Sequence, residues 1–300
     1  MEEIVSLKNY DYKETKNAVN LLCSKYGFLH CGILGRSCLG RDRPYLKLGR
    51  QNEYVLFAAS FHGSEHITTY ILLRFLEELC VALKNDGYIA GLNAKKAFNG
   101  RALIVVPMVN PDGVEISIHG KKACGVMAEK IEKLSKSDYT HWNANARGVD
   151  INHNFPAGWH KLSELEKKAG IYGPAPTRFG GFSPLSEPES LSIAELCRVQ
   201  KIRHAVAFHS QGEVIYWNYE NYNPPRAQKM AEIMATSSGY ALDIPLGLAS
   251  GGGFKDWFIS EFNRPAFTVE VGLGKNPLPL SQADNIYSNL KEMLMLSAIM

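Results

Sequence analysis

The feature that most constrains this fold is an alternation along the chain. Short, almost unbroken apolar runs take turns with segments of helical periodicity. Tyr54–Phe61 (YVLFAASF), Arg101–Val109 (RALIVVPMV), Arg203–His209 (RHAVAFH) and Ala266–Val271 (AFTVEV) have the length and composition of strands buried on both faces. Between them, Ile67, Ile71, Phe75 and Leu79 mark a helix from about Ser64 to Lys84. Ser186 followed by Glu189 reads as the capping box of a helix ending near Gln200. A last helix covers about 281–299, Ile171–Pro188 reads as a long Gly- and Pro-rich loop, and Asn110–Gly113 reads as a turn. This order predicts a single α/β domain, a sheet sandwiched between helical layers.

Nothing along residues 1–300 resembles a linker or a repeat, so one catalytic domain is expected. Residues 1–50 should pack on it without forming a separate prodomain, with the first strand near residue 30. A net charge of +3 with 21% charged residues lacks the basic stripe of a nucleic-acid binder. No apolar run approaches the ~18–20 residues of a membrane span. The N-terminus has no apolar signal-like core, so a cytoplasmic setting is the default. The six cysteines include no CxxC pair. They read as reduced thiols, and none has the close spacing of a zinc site.

The candidate chemistry sits at strand ends. His62, His209 and Glu270 each fall at or near the C-terminal end of a predicted strand, where ligand sites of open α/β sheets gather. His62 and Glu65 form an HxxE pair. With 9 His and 30 acidic residues in 300, about one such pair arises by chance, so the pair alone decides nothing. A strand-end histidine far downstream completes the three-ligand, one-open-position pattern of a hydrolytic zinc centre. His204, early on the same strand as His209, illustrates the structural alternative.

The segments FHGSEH, PMVNPDGVE, ARGVDINHNFP, AFHSQG and FTVEVGLG, in that order from residue 61 to 274, resemble the zinc carboxypeptidases of the carboxypeptidase A type. GGFSPLSEPE, GGGFKDWF and FTVEVGLGKNPLP resemble the branch that cleaves γ-D-glutamyl-diamino acid (meso-diaminopimelate) bonds in bacterial cell-wall peptides. The resemblance implies a mixed, mostly parallel central sheet. It implies one zinc ion held by His62, Glu65 and His209, with Glu270 as general base and Asp150 orienting His62. It implies a peptide, specifically a muropeptide, as substrate. Ordinary C-terminal peptides or N-acyl amino acids are the alternative substrates, and a non-catalytic peptide-binding module is the alternative class.

Arg147 is the nearest arginine upstream of GVD and the candidate oxyanion cation. Asn152 keeps a family substrate-binding position, but His153 stands where the family has arginine. An imidazole cannot offer the two-pronged guanidinium contact to a carboxylate. Arg178 and Lys255 are the candidates to replace it. Leu248 stands where many relatives have a mobile tyrosine, and Tyr240 lies eight residues upstream of it. Gly251–Gly253 reads either as a flexible loop over the pocket or as a structural turn.

Overall fold

The computed structural model describes residues 3–300. Ten strands occur in chain order: β1 (Leu29–Arg36), β2 (Asp42–Leu48), β3 (Tyr54–Ala59), β4 (Tyr88–Ile89), β5 (Leu92–Asn93), β6 (Leu103–Val106), β7 (Ile202–His209), β8 (Val214–Tyr216), β9 (Ala241–Asp243) and β10 (Ala266–Glu270). Eight of them form one sheet in the order β1-β2-β6-β3-β7-β10-β8-β9, while β4 and β5 pair separately. The central pairs β6–β3, β3–β7 and β7–β10 are parallel, as is β8–β9. The pairs β1–β2, β2–β6 and β10–β8 are antiparallel. The sheet is therefore mixed and mostly parallel at its centre. Residues 29–48 supply two strands of the sheet itself, a closer integration than mere packing on it.

Alternation along β3 builds two cores. Val55, Phe57 and Ala59 join a cluster with the helices Tyr12–Lys25, Ile67–Asn85, Ala227–Ser238 and Ala283–Ile299. Leu56 and Ala58 join a second cluster, which contains Ile193, Phe254 and Trp257. A strand that is apolar at every position is what burial on both faces demands.

Local capping differs from the expected pattern at two places. The Asn110–Gly113 turn is the start of a helix, Pro111–His119. Asn110 Oδ1 accepts from Gly113 N at 2.9 Å and Pro111 occupies the first turn, where its missing N–H costs nothing. The helix expected from Ser186 runs Pro188–Val199 from a Glu187 N-cap, not from Ser186. Ser186 Oγ instead donates to its neighbour Glu187 Oε1 and accepts from the distant Asn154 Nδ2, and these partners outcompete the expected cap. The expectation of six reduced thiols also fails. Cys23, near the end of the first helix, and Cys31, on β1, are joined in a disulfide across the short turn between them, with Cα atoms 6.4 Å apart.

Candidate active site

The site is assembled at the C-terminal ends of the central parallel strands. After β3 the chain turns through Ser60, in the left-handed region at φ 50°, into His62 and a single 3₁₀ turn, Gly63–Glu65. Gly63 is required there: a Cβ would lie 2.2 Å from Gly113 O and 2.4 Å from Trp142 O. Gly63 N also donates to Asn143 O at 3.1 Å, pinning the turn. His209 ends β7, and Glu270 ends β10 directly opposite it in the parallel register. A strand pairing thus carries residues 209 and 270, and a turn carries 62 and 65, to one point.

Three side chains meet there. His62 Nδ1 lies 2.9 Å from Glu65 Oε1, His209 Nδ1 lies 3.0 Å from Glu65 Oε2, and the two Nδ1 atoms are 3.3 Å apart. On its far side His62 Nε2 meets Asp150 Oδ1 at 2.9 Å. Asp150 also accepts from the backbone N–H groups of Asn152 (3.1 Å) and Arg178 (2.8 Å), so the carboxylate is fixed in orientation. His209 stacks on Phe61, with ring centroids 5.2 Å apart.

The electrostatics ask for a cation. A neutral His62 that donates its Nε2 proton to Asp150 has a lone pair on Nδ1, and that lone pair faces a carboxylate oxygen at hydrogen-bond distance. Either a proton or a metal ion must lie between them. The titration behaviour says the same. Burial opposes charging His62, but Glu65 and Asp150 outweigh it and hold its pKa well above the ordinary value. Burial pushes Glu65 up, yet His62 and His209 bring it down to about 2. Asp150 is likewise driven below the usual carboxylate range by His62 and His153, against its burial. Two imidazole nitrogens and a carboxylate within 4.8 Å of one another fit zinc by ligand type. Glu270 lines the same space with the opposite bias. Burial first, and the Glu65 charge second, raise it to about 8, with His62 partly offsetting them.

The remaining expected residues fall in different places. Asn152 Oδ1 accepts from Phe254 N at 2.9 Å, joining the Ile151–His153 turn to the helix Phe254–Phe262. His153 Nδ1 pairs with the buried Glu166 at 2.8 Å. Arg178 is exposed and in the left-handed region (φ 65°), its backbone anchored on Asp150. Lys255 is buried, ion-paired with Asp256, and donates to Asn218 O at 2.6 Å. Arg147 is half-exposed, and its guanidinium faces Glu187 at 3.5 Å. Among the described residues no hydrogen bond or ion pair joins it to His62, Glu65, His209 or Glu270. Tyr240 is buried, its hydroxyl accepting from Gly272 N at 3.4 Å. Gly251–Gly253 is a buried, packed turn: Phe155 N donates to Gly252 O at 2.8 Å, and a Cβ at Gly252 would meet Leu162 Cδ2 at 2.4 Å.

Two residues at the site are not among the expected site residues, although Asn276 lies within the quoted segment FTVEVGLGKNPLP. Asn276 Nδ2 donates to Ser210 O at 2.6 Å and approaches Glu65 Oε1 at 3.5 Å, while its Oδ1 accepts from Ser210 Oγ at 2.8 Å. Glu166 supports His153 from the helix Trp159–Lys168. A second donor cluster, Cys38, Glu187 and Glu189, is filled by a neutral group. Asn145 Nδ2 lies 3.2, 2.7 and 3.1 Å from the three. Asn145 Oδ1 accepts from Arg147 N and Val149 N, which fixes that orientation.

Two histidines and a glutamate brought together at the C-terminal ends of parallel strands are a donor set suited to a metal-dependent hydrolase. The sequence pattern of the zinc carboxypeptidase family matches residues 17–294, and the chain belongs to that family: it is a zinc metallopeptidase. It is 40% identical over 283 residues to γ-D-glutamyl-L-diamino acid endopeptidase 1 of Lysinibacillus sphaericus, covering 93% of this chain and 70% of that protein. The carboxypeptidase A structure of Helicoverpa armigera superposes with a TM-score of 0.74 at 19% identity, over 97% of this chain and 73% of the other. Murein-tripeptide amidase MpaA of Escherichia coli O157 superposes with a TM-score of 0.55 at 23% identity, over 89% and 91% of the two chains. These two likenesses speak to the fold.

Proposed function

We propose that this chain hydrolyses γ-D-glutamyl–diamino acid bonds of bacterial cell-wall peptides, meso-diaminopimelate being the diamino acid. His62, Glu65 and His209 hold the zinc and Glu270 serves as the base. The observation that carries the reading is the convergence of both Nδ1 atoms on Glu65, with Glu270 opposite His209 in the β7–β10 register. The 40% identity to an endopeptidase named for this bond supports the substrate.

Bound zinc supplies Lewis acidity for the scissile carbonyl and a lowered pKa for the attacking water. The protein's own groups do the rest. Asp150 accepts a hydrogen bond from the Nε2–H of His62 and so leaves the Nδ1 lone pair for the metal. Glu270 removes a proton from the water and returns it to the departing amine. Glu270, at the end of β10 and opposite His209 in the parallel register, is positioned for both transfers. Arg178 is assigned to an anionic group of the substrate. Of Arg147, Arg178 and Lys255, it alone has a charged group without a protein partner among the described residues.

The cytoplasmic setting expected from the N-terminal sequence belongs to this proposal. No helix among the described residues is long and apolar enough to cross a membrane. A reducing cytoplasm would keep Cys23 and Cys31 as thiols, so thiol trapping in intact cells tests the setting.

The functional test is a substrate panel on zinc-loaded protein. The proposal expects release of the diamino acid from L-Ala-γ-D-Glu-meso-diaminopimelate and little release of amino acids from ordinary C-terminal peptides. The reverse pattern refutes it.

A further inference from the structure

We infer that the end of the sheet opposite the active site binds a linear phosphodiester chain, through a row of arginines that no acid of the protein neutralises. The row is independent of the peptidase reading above. Along the chain it is scattered over four separate segments, so only the fold assembles it.

Strand register makes the row. β2, β6, β3, β7 and β10 are consecutive in the sheet. Leu48 pairs with Leu103, Leu103 with Val55, Val55 with His204, and Ala205 with Ala266. Arg50, Arg101, Lys201, Arg203 and Arg264 stand beside that line, with Glu53 the one acid among them. The line crosses five neighbouring strands, so the row is about 19 Å long at ~4.8 Å per strand. His209 and Glu270 close the other end of β7 and β10. Arg203 is therefore about 20 Å from His209 along β7, at ~3.3 Å per residue.

Charge is the second argument. Lys201 Nζ meets Glu53 Oε1 at 2.8 Å, but the four arginines form no ion pair among the described residues. The cations exceed the one acid by more than the +3 of the whole chain, so the excess is local. Arg101 Nε donates to Ile299 O at 2.7 Å, at the end of the helix Ala283–Ile299, and Arg264 Nη1 donates to Ile202 O at 2.6 Å. A cation at a helix end has a structural use, yet each bond takes one of the five N–H groups of a guanidinium. Arg203 goes further: its Nε and Nη2 are enclosed and have no hydrogen-bond partner. Burial first, then the Arg101 charge, lowers its pKa, with Arg226 adding to this and Glu53 opposing it. Enclosed donors without acceptors, beside like charges, are costly, and an oxyanion on the row relieves both costs. Guanidinium matches phosphate with two parallel bonds, and a row calls for several phosphates in line. Arg203 and Arg264 are half-buried between the exposed Arg50, Arg101 and Lys201, a relief that a flexible chain follows and a flat lipid surface does not. No exposed aromatic ring lies in residues 49–54, 100–103, 200–204 or 263–266, so the row offers nucleic-acid bases nothing to stack on.

The test is calorimetric titration of the zinc-loaded full chain with a synthetic poly(glycerol phosphate) long enough to span the row. Binding should weaken about 20-fold between about 50 and 150 mM salt, as four phosphate contacts on a single strand require. Arg203→Gln should weaken it by about 10-fold or more, the worth of a charged hydrogen bond. The double variant Arg50→Gln/Arg101→Gln changes two exposed side chains, so it serves even if Arg203→Gln fails to fold. It should lower the slope of log affinity against log salt by about 0.7 per arginine removed. Arg178→Gln, on the catalytic side, should leave polymer binding unchanged. Glycerol phosphate monomer at the same phosphate concentration should give no saturable binding. No binding of the polymer at low salt overturns the inference, as does wild-type affinity in both row variants or a loss confined to Arg178→Gln. Binding to phosphatidylglycerol vesicles but not to the polymer overturns the choice of ligand, and so does tighter binding of a single-stranded oligonucleotide with the same number of phosphates.

Discussion

Asp150→Asn isolates one link of the site, because it changes a single atom and no volume. Asp150 accepts from His62 Nε2 on one oxygen, and that oxygen also takes Asn152 N; the other oxygen takes Arg178 N at 2.8 Å. An asparagine must point its NH₂ to one side or the other. Towards Arg178 it sets two donors face to face in a buried place, at a cost of about 1–3 kcal/mol. Towards His62 it forces the tautomer with the proton on Nδ1, the atom that should carry the free lone pair, and the proton then blocks the cation position. Loss of such an orienting carboxylate typically weakens metal binding by about 10- to 100-fold. We expect the zinc dissociation constant, measured by competition with a chromophoric chelator at pH 7.5, to rise by that factor. Chemical denaturation of the zinc-free protein should show about 1–3 kcal/mol lost in either orientation, because the amide NH₂ meets Arg178 N–H on one side and Asn152 N–H on the other. Wild-type zinc affinity in Asp150→Asn would refute the argument that this carboxylate sets the His62 tautomer.

Other outcomes follow from the same geometry. Glu270→Gln should keep full zinc occupancy while kcat falls by about 10²- to 10⁴-fold, the usual worth of a positioned base; near wild-type turnover removes its role. His209→Ala should fail to retain zinc after dialysis, read by elemental analysis, and full occupancy would remove His209 from the ligand set. His204 is buried with its pKa lowered to about 3 by desolvation, its Nε2 donating to Ser297 O at 2.8 Å. Below its unfolded pKa of about 6.5 the unfolded chain takes up a proton that the folded one refuses, so this contribution is intact above that pH and is lost on acidification. Between pH 7 and 5 the wild type should therefore lose about 2 kcal/mol more than His204→Gln, read by urea denaturation, and equal losses would contradict the assignment. Gly252→Ala should cost about 1–3 kcal/mol, since Gly252 has φ 68° and its Cβ would strike Leu162 Cδ2; a neutral effect would mean that the turn gives way.

The sequence made some of this site legible and hid the rest for identifiable reasons. His62, His209 and Glu270 could be placed because each ends an apolar run, and a parallel sheet brings such ends together. Asp150 became readable through the segment around it. Asn276 lies in the quoted segment FTVEVGLGKNPLP but was not singled out, and Glu166 lies in no quoted segment; neither ends a strand or sits in a periodic pattern. One reaches Glu65 from the loop after β10, and the other reaches His153 from a helix face 13 residues away. Arg147 illustrates the opposite limit. Proximity in sequence to Asp150 brought it forward, yet the turn at Asn145–Val149 directs its side chain to Glu187. The Asn110 helix start rests on a local cap to Gly113 N, whereas at Ser186 the bond from Asn154, 32 residues away, displaces the expected cap. Cys23 and Cys31 escaped notice because a helix end and a strand start, not a short motif, bring them within reach.

The central claim is that one cation joins residues 62, 65 and 209. Anomalous diffraction at the zinc absorption edge from a zinc-loaded crystal tests it most directly. A single strong peak in contact with His62 Nδ1, the Glu65 carboxylate and His209 Nδ1, with Glu270 facing its open side, is the predicted result. A peak only at another cluster, such as Asp11, Glu115 and His119, with none among the three, would contradict it.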